Sequence, residues 1–243
     1  MLTRWRYTLV ALTLVLLAST TWAQSITNTY TLSSKYVSRG VNTVNNWVLQ
    51  TAASLSLGNF TVGLWGNMEL TNQNRGVYLR SYPAGTFTEW NLLAEYATVM
   101  RGVNVALGWI RYDYPGQGWE STREAYLSVG MERPFSLSVT FYRDLKTARG
   151  NSWTIGGEVP LGRGWSFHME AGYGCARYNA YYYGCQDATW TDLTLGLATE
   201  VEVGSGWRLR PTLWFSTLLD RRLLADSPHR QNLWMSLEFS RSR

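Results

Sequence analysis

From about residue 26 onward, apolar and polar side chains alternate with period two, segment after segment, and this restricts the chain to strands. Across residues 60–70 one parity reads Phe60, Val62, Leu64, Gly66, Met68 and Leu70, and the other Thr61, Gly63, Trp65, Asn67 and Glu69. Across residues 135–144 the split is Phe135, Leu137, Val139 and Phe141 against Ser136, Ser138, Thr140, Tyr142 and Asp144. Successive side chains of a strand point to opposite faces, whereas a helix would scatter each set around its axis.

The connections alternate too. Gly58-Asn59, Arg101-Gly102, Glu132-Arg133-Pro134 and residues 161–164 and 204–206 read as tight turns. Between them lie longer polar or aromatic loops near residues 37–46, 71–86, 113–122, 145–151, 174–188 and 219–231. Short turns on one side and long loops on the other are how membrane β-barrels are strung. The expected fold is therefore all-β, a transmembrane antiparallel up-and-down barrel of about twelve strands. Strands are expected to start near Ile26, Trp47, Phe60, Phe87, Val103, Arg123, Phe135, Ser152, Trp165, Thr189, Trp207 and Gln231. Pro211, on the outward face of the eleventh segment, should mark a bulge or local defect in the ladder.

Composition agrees. Charged residues make up 16% of the chain, against about 25% in an ordinary soluble domain. With 13 Trp and 15 Tyr, the chain has the rings that collect at a membrane interface. Phe60, Phe135, Trp165 and Trp207 each follow a tight turn and predict a periplasmic girdle. Tyr36, Trp47, Trp90, Trp109, Phe141, Trp153, Tyr173 and Phe215 predict a second girdle on the loop side. Residues 1–23 read as a cleaved export signal, with Arg4 and Arg6, an uncharged apolar run and Thr21-Trp22-Ala23 as the cleavage site. Residues 24–243 would form the barrel, placing it in a bacterial outer membrane by way of the periplasm.

If one parity faces lipid, the other lines the lumen, and a carboxylate would be costly anywhere else. Glu69, Glu89, Glu124, Asp144, Glu170 and Asp192 then form an acidic mouth, with Arg208 and Arg210 lower among Glu158, Glu200 and Glu238. Two readings stay open: a weakly cation-preferring mouth, or acids paired as interior fill by loop arginines such as Arg39, Arg75 or Arg80. Outside, Arg111, Arg123 and Arg143 fall together at headgroup height, either as a lipopolysaccharide phosphate contact or as separately snorkelling side chains. Cys175 and Cys185 are expected to form one disulfide, since an exported chain meets an oxidising compartment. The loop of residues 178–183 that it would hold folds inward as a constriction or stands outward as an adhesive tip.

No cofactor is implied. His168 and His229 are the only histidines and are not at metal-ligand spacing, so no metal site is expected. His168, flanked by Ser166 and Glu170, is expected to be a lumenal histidine, not a hydrolase base, and the chain is read as no enzyme. Without the segment 1–23 the net charge falls from +5 to +3, too mild to suggest nucleic acid.

The stretch Tyr30-Thr31-Leu32-Ser33-Ser34-Lys35-Tyr36-Val37-Ser38-Arg39-Gly40 resembles the opening strand of the TorF-type porins. Phe60-Thr61-Val62-Gly63-Leu64-Trp65-Gly66-Asn67 is similar to that family's third strand. Glu124-Ala125-Tyr126, Tyr142-Arg143-Asp144 and Asp192-Leu193-Thr194-Leu195-Gly196 resemble later ones. The nucleoside-channel family is a weaker likeness. Leu233, Met235, Leu237 and Phe239 resemble the C-terminal signal of the barrel-insertion machinery, with Ser240-Arg241-Ser242-Arg243 as an overhang that departs from it. The first resemblance implies an outer-membrane porin-like barrel with no settled substrate, and the second a twelve-stranded channel; the chain is read as a monomeric barrel passing small hydrophilic solutes by passive diffusion. The alternative is a non-conducting surface barrel that binds partners through its loops.

Overall fold

The computed structural model describes residues 24–77, 81–132 and 135–243. The export-signal reading, Arg80 and the centre of the 132–134 turn lie outside these residues.

Twelve antiparallel wall strands close on themselves. In wall order they are β1 (Gln24–Ser33), β4 (Val48–Leu57), β5 (Phe60–Glu69), β6 (Thr86–Met100), β7 (Val103–Asp113), β8 (Thr122–Met131), β9 (Ser136–Asp144), β10 (Asn151–Gly162), β11 (Trp165–Gly174), β12 (Thr189–Thr199), β14 (Trp207–Leu218) and β15 (Gln231–Ser242). A short β13 (Val201–Gly204) continues β12. Closure is between the first and last strands, where Tyr30 faces Phe239 and Thr27 faces Ser242. Ser240–Ser242 are thus not an overhang but the end of β15, and Ile26 and Arg243 exchange backbone hydrogen bonds at 2.8 and 2.9 Å. Closure removes the unpaired edges that an open sheet would expose.

The turns explain why the strands reverse where they do. Arg101-Gly102, Arg163-Gly164 and Ser205-Gly206 have positive φ at both residues, the twist that two-residue hairpins favour. At Pro211, which has no N–H to give, the β12–β14 pairing stops at Ala198↔Thr212 and resumes as Val201↔Leu209 in the same register. The expected defect is therefore a gap in the ladder, without a bulge.

Burial is inverted relative to a water-soluble domain. Val62, Leu64, Leu107, Ile155, Met169, Leu213, Leu233 and Met235 are exposed on the wall, while Asn67, Glu69, Glu124, Asp144, Asp192, Ser216 and Asn232 are buried inside. An apolar belt this continuous is far larger than a soluble monomer shows. Rings flank the belt on both sides. Phe60–Tyr96 and Tyr30–Trp207 pair toward the turn side at centroid distances of 4.9 and 6.2 Å. Phe87–Trp90, Phe141–Trp153 and Tyr173–Trp190 pair toward the loop side at 4.2, 4.5 and 5.6 Å.

Two elements are not wall. The first loop is a hairpin of β2 (Tyr36–Ser38) and β3 (Val41–Val44), joined at Arg39-Gly40, where both φ values are again positive. It folds into the barrel. The 175–188 loop carries a helix, α1 (Ala176–Tyr183), ended by Gly184 in the left-handed conformation. Val41, Tyr178, Tyr183, Leu218, Leu223, Ala148 and Cys185 pack into a small apolar core at the mouth. The loop of residues 178–183 therefore packs against the inward hairpin and does not stand out as a tip.

Candidate functional site

All six predicted mouth carboxylates lie on the inner face, toward the loops. Glu69, Glu89, Glu124, Asp144 and Asp192 are buried, and Glu170 is half-buried. The register aligns several of them: Glu124 faces Asp144 across β8–β9, and Asn67 faces Glu89 across β5–β6. Each buried acid has its own donors. Asn74 donates to Glu69 at 3.2 Å, and Tyr36 and Asn91 to Glu89 at 2.9 and 3.0 Å. Tyr182 and Thr122 donate to Asp144 at 2.8 and 3.0 Å, and Thr191 to Asp192 at 2.8 Å.

Glu124 is the acid that takes a cation. Arg39 donates Nη1 and Nη2 to its two oxygens at 2.9 and 2.6 Å, the forked geometry that suits a carboxylate, and Tyr112 adds a third bond at 2.9 Å. The same guanidinium stands 4.8 Å from the Tyr142 ring centroid and donates to the Tyr178 hydroxyl. Tyr183 donates to the Arg39 carbonyl at 2.9 Å. On the far side of the tip, Gly40 approaches so closely that an added Cβ would lie 2.5 Å from Asp192 Cβ. Further down, Asn42 donates to Asn232 at 2.7 Å and Val77 N–H to the Asn42 carbonyl at 2.8 Å. The hairpin is thus held against β8, β12 and β15 around the lumen. Burial pushes the Tyr178 hydroxyl up to about 12, so it meets Arg39 as a neutral phenol.

The hairpin divides the interior. A cavity of about 300 Å³ opens toward the loops, and one of about 480 Å³ lies on the other side, lined by Trp65, His168, Glu170, Trp214, Trp234 and Glu238 among others. Tyr36 and Arg39 line both cavities and so stand at the boundary between them. Lower still, Arg210 pairs with Glu158 at 2.6 Å and Arg208 with Glu200 at 3.5 Å, as their shared face suggested.

Four expectations need correction. Tyr36 is not in the outer girdle: β2 turns inward, and its ring meets lumenal Trp65 at 5.6 Å. Of the loop arginines read as fill, Arg39 does fold inward, but Arg75 is exposed. Cys175 and Cys185 are free thiols. Between them runs α1, and eight helical residues rise roughly 12 Å, more than a disulfide can span. Cys175 Sγ instead accepts the Asn151 N–H at 3.1 Å, and Cys185 is buried in the mouth core. Finally, residues 36–44, expected as loop, form the β2–β3 hairpin.

On the outer face, Arg111 lies directly opposite Arg123, and Arg143 opposite Ala125 two residues along, so the three exposed side chains share one patch. Arg111 is already tied to Asp113 at 2.8 Å, and Arg143 donates to Asn151 at 2.8 Å. His168 packs edge-on against Trp214 at 5.5 Å and, among the described residues, forms no hydrogen bond with Ser166. Ser166 accepts from Arg210 at 3.4 Å.

No protein-family model and no curated protein matches the chain. Solved structures do. The KdgM porin in complex with disordered oligogalacturonate aligns with a TM-score of 0.54 over 89% of this chain and 98% of that one, at 10% identity. A second KdgM porin structure gives 0.52 at the same identity and coverage. The NanC porin gives 0.49 at 13% identity, over 90% of this chain and 98% of that one. At such identities the likeness is one of architecture: the chain has the fold of a porin-type β-barrel.

Proposed function

We propose that the protein is a monomeric outer-membrane channel for passive diffusion of small hydrophilic solutes, weakly preferring cations. The observation that carries this is the lumen. Its inner face is polar on both sides of the hairpin, and carboxylates outnumber cations among its described residues. Rings of carboxylates attract cations and repel anions. Oligogalacturonate, named with the KdgM structure, is a polyanion, and this mouth is the wrong sign for it. In the same reading residues 1–23 direct export and are removed, β15 is read by the barrel-insertion machinery, and the TorF-type porins are the family of origin. The patch of Arg111, Arg123 and Arg143 contacts lipopolysaccharide phosphate, so replacing all three with Gln should lower the lipopolysaccharide retained on purification; unchanged retention counts against it.

A non-conducting surface barrel is the second reading, favoured by the apolar core that the hairpin and α1 build over the mouth. Liposome swelling separates the two. Vesicles carrying the folded mature chain should swell in small uncharged and cationic solutes and stay silent in polyuronate. Absence of swelling in every solute, from demonstrably folded barrels, supports the surface role.

A further inference from the structure

We propose that the cavity on the turn side of the hairpin is a binding site for a small organic ammonium ion. The register sets His168, Gly196, Trp214 and Trp234 on one line around the wall, across four adjacent strands. The two indoles are nearly parallel and stacked, 14° apart at a centroid distance of 5.9 Å, and the edge of His168 meets Trp214 at 75°. Gly196 is what lets Trp214 lie along the wall, since an added Cβ would come within 2.5 Å of the ring. Trp214 Nε1 donates to Ser236 Oγ at 2.9 Å, so its polar edge is satisfied and the ring surface is left for the cavity.

Beside this aromatic shelf, Glu170 lines the same cavity and forms no hydrogen bond or ion pair with any described residue. Of the other charged residues lining it, Arg39 is engaged by Glu124, while Lys35 and Glu238 are opposite in sign. Aromatic rings are negative over their faces and attract cations most strongly where water is sparse. A hydrated metal ion gains little from indoles. An alkylammonium matches both features, its charge to Glu170 and its methyl or methylene surface to Trp214 and Trp234. Entry to the cavity rests on the open lumen of the channel reading, but binding can be measured without conduction.

The probe is choline, observed by saturation-transfer NMR from the folded mature barrel in deuterated detergent. A saturable signal is expected, with affinity about tenfold weaker in both Glu170→Gln and Trp214→Leu, the loss of one desolvated cation–π or charge contact. Glu170→Gln keeps the side chain's size, so it remains decisive if Trp214→Leu folds poorly. The uncharged isostere 3,3-dimethyl-1-butanol should give no comparable signal. Equal transfer to the isostere or to glucose, no transfer to choline, or an unchanged affinity in Glu170→Gln overturns the site. A barrel that binds choline but carries no current would instead count against the channel.

Discussion

Arg39 is the residue on which the interior turns. It lies at the tip of a hairpin that leaves the wall between β1 and β4, yet it reaches Glu124 on β8 and packs with Tyr142 and Tyr178. Glu124 is 1% exposed, so removing its partner strands a buried carboxylate, and breaking such a pair costs roughly 3–5 kcal/mol. Arg39→Gln should therefore lower the denaturant midpoint of the folded barrel. It should also raise the permeability of K⁺ relative to Cl⁻, because the cation paired with Glu124 is gone. Adding Glu124→Gln should recover much of the stability and return the selectivity toward the parent. A single variant with unchanged selectivity would mean that ions do not pass Arg39. The glycines act at the same scale. Gly108 leaves space that Tyr126 occupies, an added Cβ falling 2.2 Å from the ring, and this brings Tyr126 to Glu95 at 2.5 Å.

Among the elements, the wall was legible in sequence and the plug was not. The period-two split places Val62 and Leu64 outward and Asn67 and Glu69 inward without reference to anything distant, and every wall strand begins within two residues of its expected start. The hairpin carries no such signal, because Val41 and Val44 are buried, and Tyr36 half-buried, by loops and wall residues far along the chain. Its turn was readable. Arg-Gly occurs five times in the chain, at residues 39, 75, 101, 149 and 163, and the arginine has positive φ each time. Arg39-Gly40 is thus the same reversal as Arg101-Gly102, met inside a stretch whose composition is that of a loop. Helix α1 was equally hidden: of its buried residues Tyr178, Asn179 and Tyr183, one pair, Asn179 and Tyr183, has helical spacing, and a single polar–aromatic pair is too short a pattern to mark a helix. Replacing residues 36–45 with a short Gly-Ser linker should leave the barrel closed, since the hairpin pairs with no wall strand. The expected result is a several-fold larger unit conductance with full heat-modifiable migration retained. A folded variant of parental conductance would show that the hairpin does not limit flow.

For the whole molecule, the governing fact is inversion: an apolar exterior between two belts of rings, and an interior of acids, amides and hydroxyls. That arrangement has a low-energy home only in a lipid bilayer, where a closed ladder satisfies every wall strand and the polar groups keep to the lumen. The interior is neither empty nor filled, holding two cavities of about 300 and 480 Å³ with Tyr36 and Arg39 in the lining of both. Small pores of this kind should conduct in modest steps, and the sign of the wall should set which ion carries the current. The most direct test is the single-channel current of the refolded mature chain in a planar bilayer, with the reversal potential read under a KCl gradient. Discrete steps with a reversal potential displaced toward that of K⁺ are the expected result; anion preference, or silence from a demonstrably folded barrel, would contradict it.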